Sequence, residues 1–480
     1  MSIFHKIKAI LAPQKVTSVF GLRAESSADM ADEICAWRDI YKGQAYWVGK
    51  GNEQVESVGV ATAIITDLAT KCVSEITLTE EPDTLLANFF EDEIRQQIRQ
   101  QLEYALALGA VVVRPYYDPE SNRIALSWYT ADRFIPTQWS GKRCIGGVFV
   151  DYLVKEEGGQ KAYYTKLESH KWRYGKDGVG GSVVIEVKAF KSSIGFGLED
   201  EVALADVAEW AYIPPMQEVN EIVFPLFVYA PTPFSNNKNL NSKQGVSIYK
   251  DAEAIIERID RTWDDLNWEL ESSANKVFIS QDILNQQYDD DGRRFTPMNS
   301  KEQRLYETLD APACEGKPID IYSPAIRQAD ITAVLKTNIS LLCSVMHLDS
   351  GAYVYEENGQ AVTATEVTAK QQKTYQTICD IQQWLVTPLI KQTVEVVRMY
   401  QHLYGLAMIP EQDIIVDYGD SILTDEETAR QTAITEVTNG VRSKLSYLME
   451  YRQMTEEEAQ KEIALIEAEK PKTVDFFGGA

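Results

Sequence analysis

Three aspartates and a glycine, Asp289-Asp290-Asp291-Gly292, form a run whose residue types could hold a calcium ion. The EF-hand spacing fails, because a loop with Gly292 in sixth position would begin at Gln287. The run is better read as a hairpin turn with Asp-Gly at its tip. Asp260, Asp264 and Asp265 are the second candidate, a carboxylate cluster of the kind general acid–base chemistry uses. They lie in a helical stretch carrying eight acids and three bases, which reads as a solvated face. The four histidines, at 5, 170, 347 and 402, are too far apart in sequence to suggest a metal or nucleophile site. No phosphate loop, HExxH, GxSxG or strand-borne GxGxxG occurs. We therefore expect no cofactor, no metal and no catalytic residue.

The elements around these residues are more informative. VSIYKDAEAIIERIDRTWDDLNWELESSAN places Ile248, Ala252, Ile255, Ile259, Leu266 and Leu270 at helical spacing, predicting a helix over 246–275. A second pattern, 324–348, opens at Ser323-Pro324 and repeats apolar residues at Ile331, Leu335, Leu342 and Val345. At ~1.5 Å per residue these legs measure roughly 45 and 38 Å, similar enough to lie side by side. The strand-and-turn insertion 276–323 would hang from their far end. A third helical pattern starts at a capping box, Thr363 with Glu366, and runs to about Tyr404. Pro388 interrupts it, so a kink is expected near Leu385–Pro388.

Upstream, 28–108 reads as helices closed by Gly109. From 110 to 190 the period changes to β-branched and aromatic strands punctuated by DPESN, EEGG and KDGVGG turns, an antiparallel β module. APTPFSNNKNLNSKQG, 230–245, reads as a linker. DIIVDY follows as one return strand, and capping boxes at Thr424/Glu427 and Thr455/Glu458 mark a small helical C-terminal region. The final KPKTVDFFGGA reads as disordered.

A net charge of −25 argues against a wide grip on nucleic-acid phosphates, but not against a protein that surrounds DNA without holding it. The six cysteines show no CxxC pair, which fits reduced thiols in a cytosol. No segment approaches eighteen uninterrupted apolar residues, so no membrane partner is expected. Ile3, Phe4, Ile7, Ile10 and Leu11 make a one-sided stripe ending near Pro13, expected to be a short amphipathic helix and not a signal peptide.

Four segments taken in order, ICAWRDIYKGQAYWV, LEYALALGAVVVRPYY, GVSIYKDAEAIIERID and TATEV with KTYQTI, resemble the portal proteins of long-tailed, siphophage-type bacteriophages. The resemblance covers nearly the whole chain. It implies an α+β portal fold: a mainly helical, elongated subunit with an antiparallel β module in its wing. It further implies a homo-oligomeric ring, usually of twelve subunits, at one capsid vertex, through which double-stranded DNA is packaged and ejected.

The segments then correspond to wing (1–245), first stem helix (246–275), clip (276–323) and second stem helix (324–348). A tunnel loop (349–362), a kinked wing helix with its return strand (363–423) and a crown (424–480) follow. Tyr353, Tyr355, Glu356, Glu357, Asn358 and Gln360 would belong to the tunnel loop facing DNA, with the tyrosines wedged against a neighbouring subunit. Asp289, Asp290, Asp291, Arg293 and Arg294 would belong to the clip that docks partners. Those partners are the terminase large subunit and the head–tail adaptor, with scaffold and major capsid protein around the ring. The protein would assemble in the host cytoplasm and reside in the virion. An acidic channel suits such a role, since a basic lining would bind the duplex and stall it. The competing readings are a soluble acidic hydrolase with paired carboxylates and a minor head or scaffold protein with no channel.

Overall fold

The computed structural model describes residues 13–25, 28–49, 55–79, 82–175, 180–273, 276–280, 287–288, 294–295, 306–309, 319–351, 353–354, 364–419, 433–438, 440, 442–452 and 454–469. Both helices and antiparallel sheets are present, so the class is α+β. The expected helix before Pro13 lies outside these residues, as do Thr363, Thr424 and the final tail. The described chain opens instead with a short helix, α1 (Pro13–Ser18), whose Val16 packs on the β module beside Ile135, Val148 and Leu167.

Four helices build the first body: α2 (Ala28–Tyr41), α3 (Val60–Val73), α4 (Thr84–Phe89) and α5 (Ile98–Leu108). Helix α3 is buried on most of its surface because Ile64, Ile65, Leu68 and Cys72 recur at helical spacing. A π turn, Phe90–Arg95, joins α4 to α5 and directs Glu93 inward, where it accepts the backbone N–H of Leu126 at 3.0 Å. Gly109 ends α5 in the left-handed conformation, φ 97°. A Cβ there would meet the Gly245 carbonyl oxygen at 2.6 Å, and one on Gly245 would meet that of Gly109 at 1.9 Å. Two backbones cross here with no room for side chains.

That crossing corrects the linker expectation for 230–245. The segment starts in β10 (Val228–Pro231), which pairs with β2 (Ala110–Asp118), and β2 pairs in turn with β3 (Arg123–Thr130). Thr232 donates its backbone N–H to Gly109 at 2.9 Å, and its hydroxyl donates to Val246 at 2.6 Å. Asn236 holds a local turn by accepting from the N–H groups of Lys238 and Asn239. Polar, turn-rich sequence therefore marks a packed connection.

The β module extends beyond 190. A six-stranded sheet takes the order β4 (Phe134–Ser140), β5 (Arg143–Glu157), β6 (Gln160–Tyr174), β7 (Gly181–Ser192), β8 (Asp200–Val202), with β9 (Met216–Ile222) also pairing β7. Gly158 and Gly159, φ 57° and 80°, make the two-residue turn between β5 and β6.

An ion-pair cluster joins this sheet to the three-stranded one. Arg114 on β2 pairs with Glu168 on β6, and its guanidinium lies over the rings of Tyr129 and Phe149. His170 Nε2 lies 2.8 Å from Glu168, while Lys166 reaches Asp151 at 3.1 Å. Burial alone would raise the Glu168 carboxyl, but Arg114, His170 and Lys166 outweigh it and hold it well below the usual carboxylate range.

The chain then runs through the longest pair of helices. Helix α6 (Glu253–Ser272) begins later than the expected 246, because Ile248 donates its N–H to the Leu106 carbonyl at 3.0 Å, capping the end of α5. Helix α7 (Gln328–Val345) begins four residues after Pro324. Its approach is fixed by Arg327, whose backbone N–H goes to Glu269 and not into the helix. Between them, β11 (Lys276–Ser280) pairs antiparallel with β15 (Ile319–Tyr322) and parallel with β14 (Tyr306–Leu309). A two-residue pair, β12 (Gln287–Tyr288) and β13 (Arg294–Phe295), flanks 289–293.

The third long pattern is α8 (Ala364–Ile381), a π turn at Gln382–Val386, and α9 (Thr387–Leu403). Where the sequence leads one to expect a kink from Pro388, the structure has this wider turn. Pro388 has no N–H to offer the carbonyl four residues back and its ring would press on it. The π turn opens the helix there, with Thr387 donating to Gln382. Tyr418, just after β16 (Ile415–Asp417), donates to the Gln382 carbonyl at 3.1 Å and sits 2.6 Å from the Thr387 hydroxyl. The chain continues into α10 (Lys444–Arg452) and α11 (Glu456–Glu469), where Glu458 accepts from the Thr455 N–H at 3.0 Å. One apolar core runs from α2 and α3 through α5, β2, α6 and α7 to α9.

Replacing Glu168 by Ala leaves Arg114 and Lys166 buried without their carboxylate, and should cost about 3–5 kcal/mol in urea unfolding at neutral pH. Because the Glu168 carboxyl is depressed in the fold, its contribution is present above the ordinary carboxylate range and lost as pH falls through the folded value. The gap between wild type and variant should therefore narrow in acid.

Candidate functional site

The helices α6 and α7 and the turn that follows α7 form the candidate site, and acids on α6 fasten it to the rest of the chain. Glu253, Glu257 and Asp260 share one face at i, i+4 and i+7. Trp37 Nε1 donates to Glu253 at 3.0 Å, Tyr46 OH to Glu257 at 2.6 Å and Trp47 Nε1 to Asp260 at 2.8 Å. The second Asp260 oxygen accepts the backbone N–H of Val58 at 2.9 Å. Burial pushes the Asp260 and Glu253 carboxyls up, whereas the Tyr46 hydrogen bond draws Glu257 down. Of the candidate carboxylate cluster, then, only Asp260 is buried and fully engaged. Asp265 is exposed and Asp264 half-buried. Among the described residues no group of three potential metal ligands occurs.

At the far end of α6, Glu269 accepts from Arg327 three times: from Nη2 at 2.7 Å, from Nε at 3.1 Å and from the backbone N–H at 3.2 Å. This joins the end of α6 to the start of α7 where the insertion departs.

The other end of α7 is closed without glycine. His347 takes the left-handed conformation, φ 59°, and Leu348 donates back to Cys343 at 2.8 Å. Helix α8 satisfies the carbonyls left over there: Lys373 Nζ donates to Ser344 at 3.0 Å and the Thr377 hydroxyl to His347 at 2.8 Å. The Thr374 hydroxyl accepts the Asp349 N–H at 2.8 Å, and Asp349 accepts the Gly351 N–H at 3.1 Å. Tyr353 then turns back onto α3, donating to Asp67 at 2.5 Å.

Of the residues expected to face DNA, only Tyr353 falls within the described chain, and it packs on its own α3, not on a neighbouring copy. Tyr355, Glu356, Glu357, Asn358 and Gln360 lie outside, as do Asp289, Asp290, Asp291 and Arg293. Arg294 opens β13, paired with Tyr288.

Sequence reasoning missed Asp67, Lys373, Thr374 and Thr377, and the partners of the α6 acids. The spacing 253, 257, 260 was a signal, but the donors sit more than 200 residues away in the chain.

Helix α7 is apolar in sequence, ITAVLKTNISLLCSV, yet it buries only Asn338, Leu342 and Cys343. Val334 is 52% exposed and Leu341 44%, and on α6 Trp268 is 67% exposed. Large apolar side chains left in solvent along paired helices mark an interaction surface.

The description "Phage portal protein, SPP1 Gp6-like" matches residues 73–474, and the chain belongs to that family. Its members are structural proteins of the bacteriophage virion. Among solved structures, it is similar to a chain in the neck of a native gene transfer agent particle computed with C12 symmetry. That match has 10% identity over 82% of this chain and 89% of the other, with TM-score 0.36. A chain from the virion of a native gene transfer agent particle matches at 10% identity over 92% of this chain and 98% of that one, TM-score 0.37. No curated protein matches. No helix among the described residues is long and apolar enough to cross a membrane.

Substituting Trp47 by Phe removes one donor from a buried carboxylate and should cost about 1–3 kcal/mol at neutral pH, read from urea midpoints. The Asp260 carboxyl is raised in the fold, so its ionised form opposes folding and that burden grows as pH rises past the folded value. The loss should be larger at pH 7 than in acid, where the protonated group no longer needs two donors.

Proposed function

We propose that this portal protein closes into a ring through head-to-tail contacts between identical copies, twelvefold as the family resemblance implies, and that double-stranded DNA passes through its centre. The exposed apolar surface of α7 carries this reading. A helix of that composition needs a cover, and its own chain supplies one only at Asn338, Leu342 and Cys343. The same surface on the next copy would remove Val334, Leu341 and Trp268 from water.

In this reading α6 and α7 are the stem and 276–323 the clip, landing place of the terminase large subunit and later of the head–tail adaptor. Residues 349–362 are the tunnel loop, 1–245 with 363–423 the wing, and 424–480 the crown. Scaffold and major capsid protein surround the ring at one vertex of the virion, after assembly in the host cytoplasm. The net charge of −25 supports a channel that repels the duplex and lets it slide. The motor, a separate protein, supplies ATP hydrolysis.

Native mass spectrometry of the purified chain should show a closed ring. Leu341→Glu should lower the ring fraction by about tenfold or more, the equivalent of losing one buried leucine at each contact. A strictly monomeric wild-type chain at every concentration and salt would overturn the reading.

Shortening the chain between Tyr355 and Gln360 should leave rings intact in the same assay while lowering the DNA content of particles assembled in infected cells. Normal DNA content would remove this loop from the packaging path.

A further inference from the structure

Five side-chain and backbone contacts determine the path from the end of α7 toward residue 355, and one of them reaches across to a different helix. Asp67 on α3 stands between two donors. Lys71, one turn along, places Nζ 2.7 Å from its Oδ2, and the Tyr353 hydroxyl donates to the same oxygen at 2.5 Å. Lys71 also lies 5.9 Å from the centre of the Tyr353 ring. Burial, then the Asp67 hydrogen bond, pushes the Tyr353 phenol upward, so it remains a donor at any working pH. The other contacts, Thr377 to His347, Asp349 to Thr374, Gly351 to Asp349 and the Ser350 turn that receives the N–H of Tyr353, stay within the junction of α7 and α8.

We propose that Tyr353 is a positioning residue: through Asp67, itself held by Lys71, it fixes the chain leaving α7 to α3 of the same subunit. The place from which the following residues start is then set within each subunit and not by its neighbour. The packing role of the ring and the role of the hydroxyl separate chemically. Tyr353→Phe keeps the ring among its apolar neighbours and removes only the donor. Asp67→Asn removes the charge that both Lys71 and Tyr353 address.

This inference rests on the portal reading only for its consequence in particles, and the experiment separates the two. Amide exchange across 347–354 is measured on the purified full chain, whatever its oligomeric state. Tyr353→Phe should speed exchange there about tenfold, as loss of a hydrogen bond to a charged group implies, with α3 and α7 unchanged. Asp67→Asn should do the same, and Tyr353→Phe added to Asp67→Asn should add less than about twofold, the signature of a shared contact. Unchanged exchange in Tyr353→Phe, or effects that multiply in full, would overturn the proposal. Phage carrying Tyr353→Phe should form rings by native mass spectrometry and hold less DNA. Wild-type DNA content in ring-competent particles would overturn the assignment of a positioning role.

Discussion

A buried carboxylate must be given donors or it destabilises the fold that buries it, and α6 buries one on the face it turns to the helical body. Asp260 is 1% exposed and receives two N–H groups; Glu253 and Glu257 receive one donor each along the same stripe. Because those donors belong to α2 and to the chain that leaves it, satisfying the acids also dictates how the paired helices leave the body. The apolar residues between them, Ile255, Ile256 and Ile259, join the central core from the same side. Non-directional burial draws α6 inward, and the hydrogen bonds set its rotation about its own axis.

A similar division of labour holds the β module. Aromatic packing among Phe134, Phe149, Phe227 and Tyr229 brings the two sheets together, while Arg114 and Glu168 specify which residues face each other. The Arg114 side chain touches the Tyr129 and Phe149 faces and reaches the carboxylate with its end, so it serves both. The pair joins β2, which continues from α5, to β6 in the middle of the larger sheet. Wing and stem thus share one continuous interior with charged contacts at its two joints.

Helical periodicity made the paired helices legible, and Gly109 and the Gly158-Gly159 turn were legible from residue type, because each of these signals is local. The starts of α6 and α7 were not. In both places a backbone N–H that would open the helix is taken by a group far away in sequence, the Leu106 carbonyl for Ile248 and the Glu269 carboxylate for Arg327. Residues 230–245 misled for a related reason. Asn, Ser and Lys are common in free linkers, but here Asn236 and Thr232 spend their polar atoms on specific backbone partners. Tyr353 shows the limit most plainly, since an aromatic residue in a loop says nothing about whether its partner lies in the same chain or the next.

The π turn at Gln382–Val386 carries a consequence for insertions and deletions. Such a turn holds one residue more than an α-helix requires, and each residue advances a helix by about 100°. Removing one residue there would restore regular winding and turn everything after it by that angle. Leu389, Ile390, Val394 and Val397, now directed into the core, would swing toward solvent, while Trp384, 63% exposed, marks the outer side of the widened coil. The extra residue therefore works as a phase setting between two halves of one long rod. A natural variant that lost it would have to compensate elsewhere by a matching insertion before α9, or abandon the interface that Tyr418 and β10 make with it.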